Sequence, residues 1–143
     1  MYKIDIPISE QDFDDYFMCR WKMLREPWKY PLGSEKDEYE QVSQHRMIRN
    51  VNGDVVAVGR VHMNSAEEAQ VRHVAVEKAS QGKGLAKMLV ASLEAVARAE
   101  GAIRIVTNST QASIALFTSL GFIDQSGAPK ELGEQQRQQM VKN

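Results

Sequence analysis

Val74-Ala75-Val76-Glu77-Lys78-Ala79-Ser80-Gln81-Gly82-Lys83-Gly84-Leu85-Ala86 is the stretch whose reading decides the fold. An apolar, strand-like triplet runs into a turn with two glycines, and a strongly patterned helix starts at once. Leu85, Met88, Leu89, Leu93 and Val96 fall on one face of that helix, and Gly101 stands where a C′ glycine ends it. The first turn of a helix leaves backbone N–H groups unpaired, and glycines let a ligand approach them closely. The helix dipole adds partial positive charge, and Lys83 and Lys87 add full charges nearby. Such a turn suits a phosphate or pyrophosphate, although a Gly-x-Gly turn by itself is also an ordinary strand-to-helix connector. The P-loop pattern and the dinucleotide Gly-x-Gly-x-x-Gly pattern are both incomplete here, because Gly84 is followed by Leu85, Ala86 and Lys87.

Upstream of this stretch the pattern is antiparallel. Asn52-Gly53-Asp54 separates a β-prone run from His45 to Val51 from another from Val55 to Met63, the signature of a hairpin. Val55 to Val58 is continuously apolar, which predicts a strand buried on both faces. A polar turn at Asn64–Glu68 then leads to a strand over Gln70–Val76. Nearer the N-terminus, Ile4, Ile6 and Ile8 alternate as a short strand does. Ser9 and Asp12 form a capping box, with Asp in place of the usual Glu, for a helix reaching about Arg25. Pro27 and Pro31 end that helix in a rigid aromatic loop. Downstream, Ala102–Thr107 reads as a strand, and Ser109 or Thr110 can cap a helix through Ile114, Phe117 and Leu120 that stops at Gly121. Phe122 and Ile123 open one more strand. Gly133–Lys142, with four glutamines and no clean period, reads as an edge strand.

The order is α+β, a mixed sheet with helices on its faces, and 143 residues form one domain over 1–143. The charge balance, 18 basic against 19 acidic side chains, gives no basic surface for nucleic acid. No apolar run approaches the roughly 18 residues a membrane span needs, and the start of the chain carries no signal-peptide pattern. With a single cysteine, Cys19, expected as a small buried hydrophobe, these features suit a cytoplasmic protein.

Gln81-Gly82-Lys83-Gly84-Leu85-Ala86 resembles the coenzyme A pyrophosphate loop of the GNAT superfamily of N-acetyltransferases, whose pattern is Arg/Gln-x-x-Gly-x-Gly/Ala. Val74-Ala75-Val76 looks like that family's fourth strand, Asn108 follows the fifth as it often does there, and Ala115–Phe122 is similar to the late helix with its Gly-Phe ending. The resemblance runs over roughly residues 42 to 125. It implies a three-layer fold with a mostly antiparallel sheet of about seven strands. It also implies acetyl-CoA as cosubstrate and a small-molecule amine as acceptor, attacked directly without a covalent enzyme intermediate. Val74, Ala75 and Val76 are then expected to line the pantetheine arm and to offer an N–H to the thioester carbonyl. Gln81, Gly82, Lys83, Gly84, Leu85 and Ala86 are expected to hold the pyrophosphate, with Asn108 and Phe117 beside the cofactor. Alternatives within the fold are other acyl-thioester chemistry or a non-catalytic CoA sensor.

The catalytic groups are less legible. The family often places a tyrosine four residues before the Gly of Gly-Phe to protonate the departing thiolate; that position is Phe117, which has no proton to give. Tyr30, in the aromatic loop, is a candidate substitute. His73 has the right intrinsic pKa for a base but equally reads as an ordinary strand residue, and His45 and His62 could face the acceptor cleft or solvent. Glu26 and Glu35 read as solvated carboxylates that could bind a cation, and Arg20, Arg25 and Arg60 as candidates for a substrate carboxylate. Trp21 and Trp28 read as core or loop anchors. The histidines and the cysteine show no metal-ligand spacing, so no metal is implied. A C-terminal edge strand could pair with a second copy to give a homodimer.

Overall fold

The computed structural model describes residues 1–125, 130–132 and 135–143. Ser9 begins the first helix as the sequence predicts. Its hydroxyl accepts from the Asp12 N–H at 3.0 Å, and the Asp12 carboxylate accepts from the Ser9 N–H at 3.2 Å. The elements are β1 (Lys3–Asp5), α1 (Glu10–Leu24), β2 (Gln44–Arg49), β3 (Val55–Met63), β4 (Glu68–Val76), α2 (Leu85–Ala99), β5 (Arg104–Thr110), α3 (Ile114–Ser119), β6 (Ile123–Asp124), β7 (Lys130–Leu132) and β8 (Gln135–Lys142). They form one sheet in the order β1-β2-β3-β4-β5-β8-β6, with β7 also pairing β8. That gives the expected seven positions across a mostly antiparallel sheet, in which β4 and β5 are the only parallel pair among the described residues.

Period-2 alternation assigns the two faces. Ile48, Ala57, Val61, Ala69 and Val71 meet Leu85, Leu89, Leu93 and Ala97 of α2. Met47, Val58 and Ala75 meet Tyr16 and Cys19 of α1 on the other side. Both helices cover the continuous apolar run in β3, so that strand is buried on both faces as predicted.

Two expectations near the C-terminus are corrected. The strand ending at Thr107 continues to Thr110, so Ser109 lies within β5 rather than capping a helix. The helix that follows is only Ile114–Ser119, entered through a 3-10 turn at Gln111–Ser113. The C-terminal strand is not an edge. β8 pairs β5 over Arg137–Lys142 on one side, while β6 and β7 share its other side. Its ladder groups are therefore engaged within the chain, and the expected pairing of a bare C-terminal edge with a second copy loses its basis. Gly133 and Glu134, the start of that expected strand, lie outside the described residues. No helix among the described residues is long and apolar enough to cross a membrane.

Candidate active site

The site begins with a fault in the β3–β4 ladder. Val58 pairs Ala75 and Arg60 pairs Arg72, so His73 and Val74 together oppose the single residue Gly59. This is a β-bulge, and His73 absorbs it in the left-handed region at φ 57°. Gly59 fits closely opposite it, since a Cβ there would sit 3.0 Å from methyl carbons of Leu89 and Leu93. On its other side β4 pairs β5 only from Glu68 to Gln70. Past that point the Thr107 hydroxyl donates to the Val71 carbonyl at 3.0 Å, and the strands part.

The gap opens into a cleft of about 700 Å³. One wall is Val74, Ala75 and Val76; the floor is the glycine turn and the start of α2; the far wall is Thr110, Ser113 and Leu116. Gly82 and Gly84 both sit at φ 79°, and a Cβ on either would meet nothing within 4 Å. The turn therefore presents bare backbone to open space at the entrance of a helix. The Gln81 amide donates to the Val76 carbonyl at 2.9 Å, tying turn to strand.

Of the residues anticipated at the cofactor, Val74, Ala75, Val76, Gln81, Gly82, Gly84, Leu85 and Ala86 line this cleft together. Lys83 turns aside, its ammonium 3.1 Å from the Tyr2 hydroxyl and over that ring. Asn108 and Phe117 border a smaller adjoining cavity with His73. The Phe117 ring is buried edge-on to Phe122. Tyr30 is half-exposed and lies outside both cavities. Its backbone carbonyl accepts from the Trp21 indole at 3.1 Å, which makes Trp21 the loop anchor expected of it. Trp28 departs from expectation: it lines the cleft together with Met23 and Leu24.

The polar candidates are largely structural. Arg20 and Arg60 are fully buried, and their terminal guanidinium nitrogens are held from within, although the Nε of each has no hydrogen-bond partner among the described residues. Arg60 donates to both Asp37 oxygens at 2.6 and 2.8 Å and to Glu40 at 2.7 Å, and Arg20 donates to Glu40 at 2.8 Å. Neither is available to a substrate carboxylate. His45 and His62 face neither cleft nor solvent. The first lies 2.9 Å from the Tyr16 hydroxyl, and the second stacks on Tyr39 at 4.6 Å. Glu35 is buried and accepts from the Gly33 N–H at 2.8 Å, whereas Glu26 is exposed as expected. Cys19 is buried, and that burial pushes its thiol up to about 12.

His73 sits 3.5 Å from Asp37 Oδ2. Burial first, and then the positive charges of Arg20, Arg60 and Arg72, outweigh Asp37 and push the imidazole down to about 3. A ring of such low basicity is a poor sink for an ammonium proton. Burial would raise Asp37, but hydrogen bonds from His73, Arg60 and the Tyr39 N–H hold it below the usual carboxylate range. Asp37, Glu40 and His73 bring ligand-type atoms within 4.8 Å of one another, but guanidinium groups already hold both carboxylates. Among the described residues that line it, the main cleft has no Asp, Glu or His.

A splayed β4–β5 pair with a glycine turn leading into a helix recurs in known proteins. The model of the acetyltransferase (GNAT) family matches residues 12–122 of the chain. The protein belongs to the GNAT acetyltransferase family. The same fold is found in Escherichia coli ElaA, 15% identical with a TM-score of 0.79, covering 100% of this chain and 99% of that one. The Escherichia coli ribosomal-protein-S18-alanine N-acetyltransferase is 19% identical, with a TM-score of 0.72 and coverage of 99% and 92%. A GNAT family acetyltransferase from Elizabethkingia anophelis, solved with acetyl-CoA bound, is 12% identical, with a TM-score of 0.68 and coverage of 98% and 94%. This GNAT protein is thus a transferase. Arg72, Arg137 and the cleft-lining Trp28 are what the sequence reading missed. Nothing in the glutamine-rich C-terminal segment marked Arg137, and only its place beside His73 could have marked Arg72.

Proposed function

We propose that the protein transfers acetyl from acetyl-CoA to a primary amine by direct attack in a ternary complex, with no covalent enzyme intermediate. The observation that carries this reading is the paired left-handed glycines Gly82 and Gly84, open on their Cβ side and lining the cleft at the start of α2. They fit a pyrophosphate, because bare backbone N–H groups and a helix N-terminus favour an anion there. Gln81–Ala86 would hold that group, and the edge of β4 past Val71, which has no strand partner on the β5 side among the described residues, would hold the pantetheine arm.

Acetyl-CoA supplies an activated acyl group on a thiol that leaves as a thiolate of pKa near 8.5. One backbone N–H within Val74–Val76 would serve as the preorganised donor for the oxyanion that forms during attack. Phe117 supplies no proton, and a leaving thiolate of that basicity needs none. With no carboxylate or imidazole among the described residues lining the main cleft, the ammonium proton leaves through water.

Calorimetry of acetyl-CoA binding to wild type and Gly84→Asp tests the reading. Wild type should bind, and the substituted protein should fold yet lose at least tenfold in affinity, about 1.4 kcal/mol. Thiol release on adding amines should follow in wild type. Binding with no release by any amine would leave a CoA sensor, and no binding would remove the acetyltransferase reading.

A further inference from the structure

Beside the main cleft, sharing Leu24, Val74, Thr110 and Ser113 with it, lies a cavity of about 80 Å³. Three guanidinium groups line it, on Arg25, Arg72 and Arg137. Three like charges around one small space repel one another, and ordinarily each would be paired or exposed. Here all three are half-buried and thinly paired. Arg25 donates only to backbone carbonyls, those of Ser34 at 3.1 Å and Leu24 at 3.3 Å. Arg72 reaches a single carboxylate oxygen, Asp37 Oδ2 at 3.5 Å, which Arg60 already holds at 2.8 Å. Among the described residues Arg137 has no ion pair and its buried Nε no hydrogen-bond partner. Burial, then Arg25 and Arg72, lower the Arg137 pKa, as expected for a cation held among cations.

We propose that this corner binds a carboxylate carried by the amine acceptor, so that the substrate is an amino acid or a compound with an amino-acid-like end. The proposal rests on the acetyltransferase reading above. Its location supports it: Val74, expected beside the thioester, borders both spaces, so an anion held here leaves an amine a few bonds away within reach of the acyl group. Its size supports it too, since about 80 Å³ admits a carboxylate and excludes a nucleotide. The glycine turn expected to take the cofactor's pyrophosphate lines only the other cavity. Guanidinium forks match carboxylates geometrically, and charge-assisted bonds of this kind discriminate strongly.

Thiol release should be measured for the twenty amino acids and for their C-terminal amides, which keep the amine and remove the charge. The expected result is at least one acid with kcat/KM about tenfold or more above its amide. Arg137→Gln and Arg72→Gln should each erase that preference through KM, and Arg137→Lys should restore part of it. The Kd of acetyl-CoA should not change in any of them. Arg137→Gln should also melt no lower than wild type, because it removes an unpaired cation; this separates lost binding from lost folding. Amides preferred over acids, or a preference that survives Arg137→Gln, would overturn the proposal and leave the acetyltransferase reading intact. A weaker acetyl-CoA Kd in the Arg137 variants would overturn it by assigning the cluster to a cofactor phosphate. If acetyl-CoA binds but neither series releases thiol, the proposal falls together with the transfer reading.

Discussion

The Thr107 hydroxyl donates to the Val71 carbonyl at 3.0 Å, just past the last paired residues of β4 and β5. Both residues are buried, so this one bond closes the base of the gap from which the cleft opens. Thr107→Val keeps the shape and leaves the Val71 carbonyl without that donor. It should lower unfolding free energy by about 1–3 kcal/mol, the cost of an unsatisfied buried group, read as a shift in urea midpoint.

Gly59 opposes the bulge so closely beneath α2 that a side chain there would have to displace the Leu89 and Leu93 methyls. Gly59→Ala places a methyl 3.0 Å from Leu89 and Leu93 and should cost about 1–3 kcal/mol by overpacking. Adding Leu93→Val should recover part of that loss, so the two changes will be non-additive in a double-mutant cycle. Strictly additive effects would mean that α2 moves as a body instead of clashing locally.

Dedicated turn residues and the continuous apolar run agree with the structure, whereas the Ile4-Ile6-Ile8 alternation predicts a strand that in fact ends at Asp5 and leaves Ile6 and Ile8 exposed. Asn52-Gly53, the apolar run from Val55 to Val58, the Ser9–Asp12 cap and the two glycines of the turn before α2 each act locally, so each is visible within a few residues. Three kinds of feature were not visible. The bulge at His73 is a relation between β3 and β4, and nothing in β4 alone marks it. The burial of Arg20 and Arg60 depends on Asp37 and Glu40, supplied by the charged segment between α1 and β2, far from Arg60 in the sequence. The inner position of β8 depends on β6 and β7 arriving on its far side, while its own glutamine-rich sequence looks like an edge. Long-range pairing decided each of them.

Arg60 is the keystone of that loop, touching Asp37 twice and Glu40 once with no exposed side-chain surface of its own. Arg60→Leu would leave two carboxylates facing an apolar group. A loss of about 3–5 kcal/mol is expected, the scale for removing one partner of a buried pair, with Asp37 held less far below its usual range because the His73 and Tyr39 N–H bonds remain. Guanidinium denaturation at pH 7 reads the stability. A loss below about 1 kcal/mol would mean that water replaces the guanidinium freely.

His73 gives the pH dependence a definite sign. Its folded pKa, about 3, lies below the ordinary value of 6.5, so the unfolded chain takes up the proton first. The stability this confers is complete above pH 6.5 and is lost as pH falls toward 3, at up to about 1.4 kcal/mol per pH unit. His45 and His62 are lowered in the same direction, burial being the first cause in each. Asp37 is lowered too, but against an unfolded carboxyl near 3.9, so its contribution is lost only below about pH 4. Stability should therefore start to fall near pH 6.5, well before any carboxylate is protonated. His73→Asn tests the assignment, since asparagine accepts the left-handed backbone at φ 57° and does not titrate. Its urea midpoint should depend less steeply on pH between 6 and 4 than that of wild type. If the two profiles run parallel, the imidazole is charged in the folded protein and pairs with Asp37 instead.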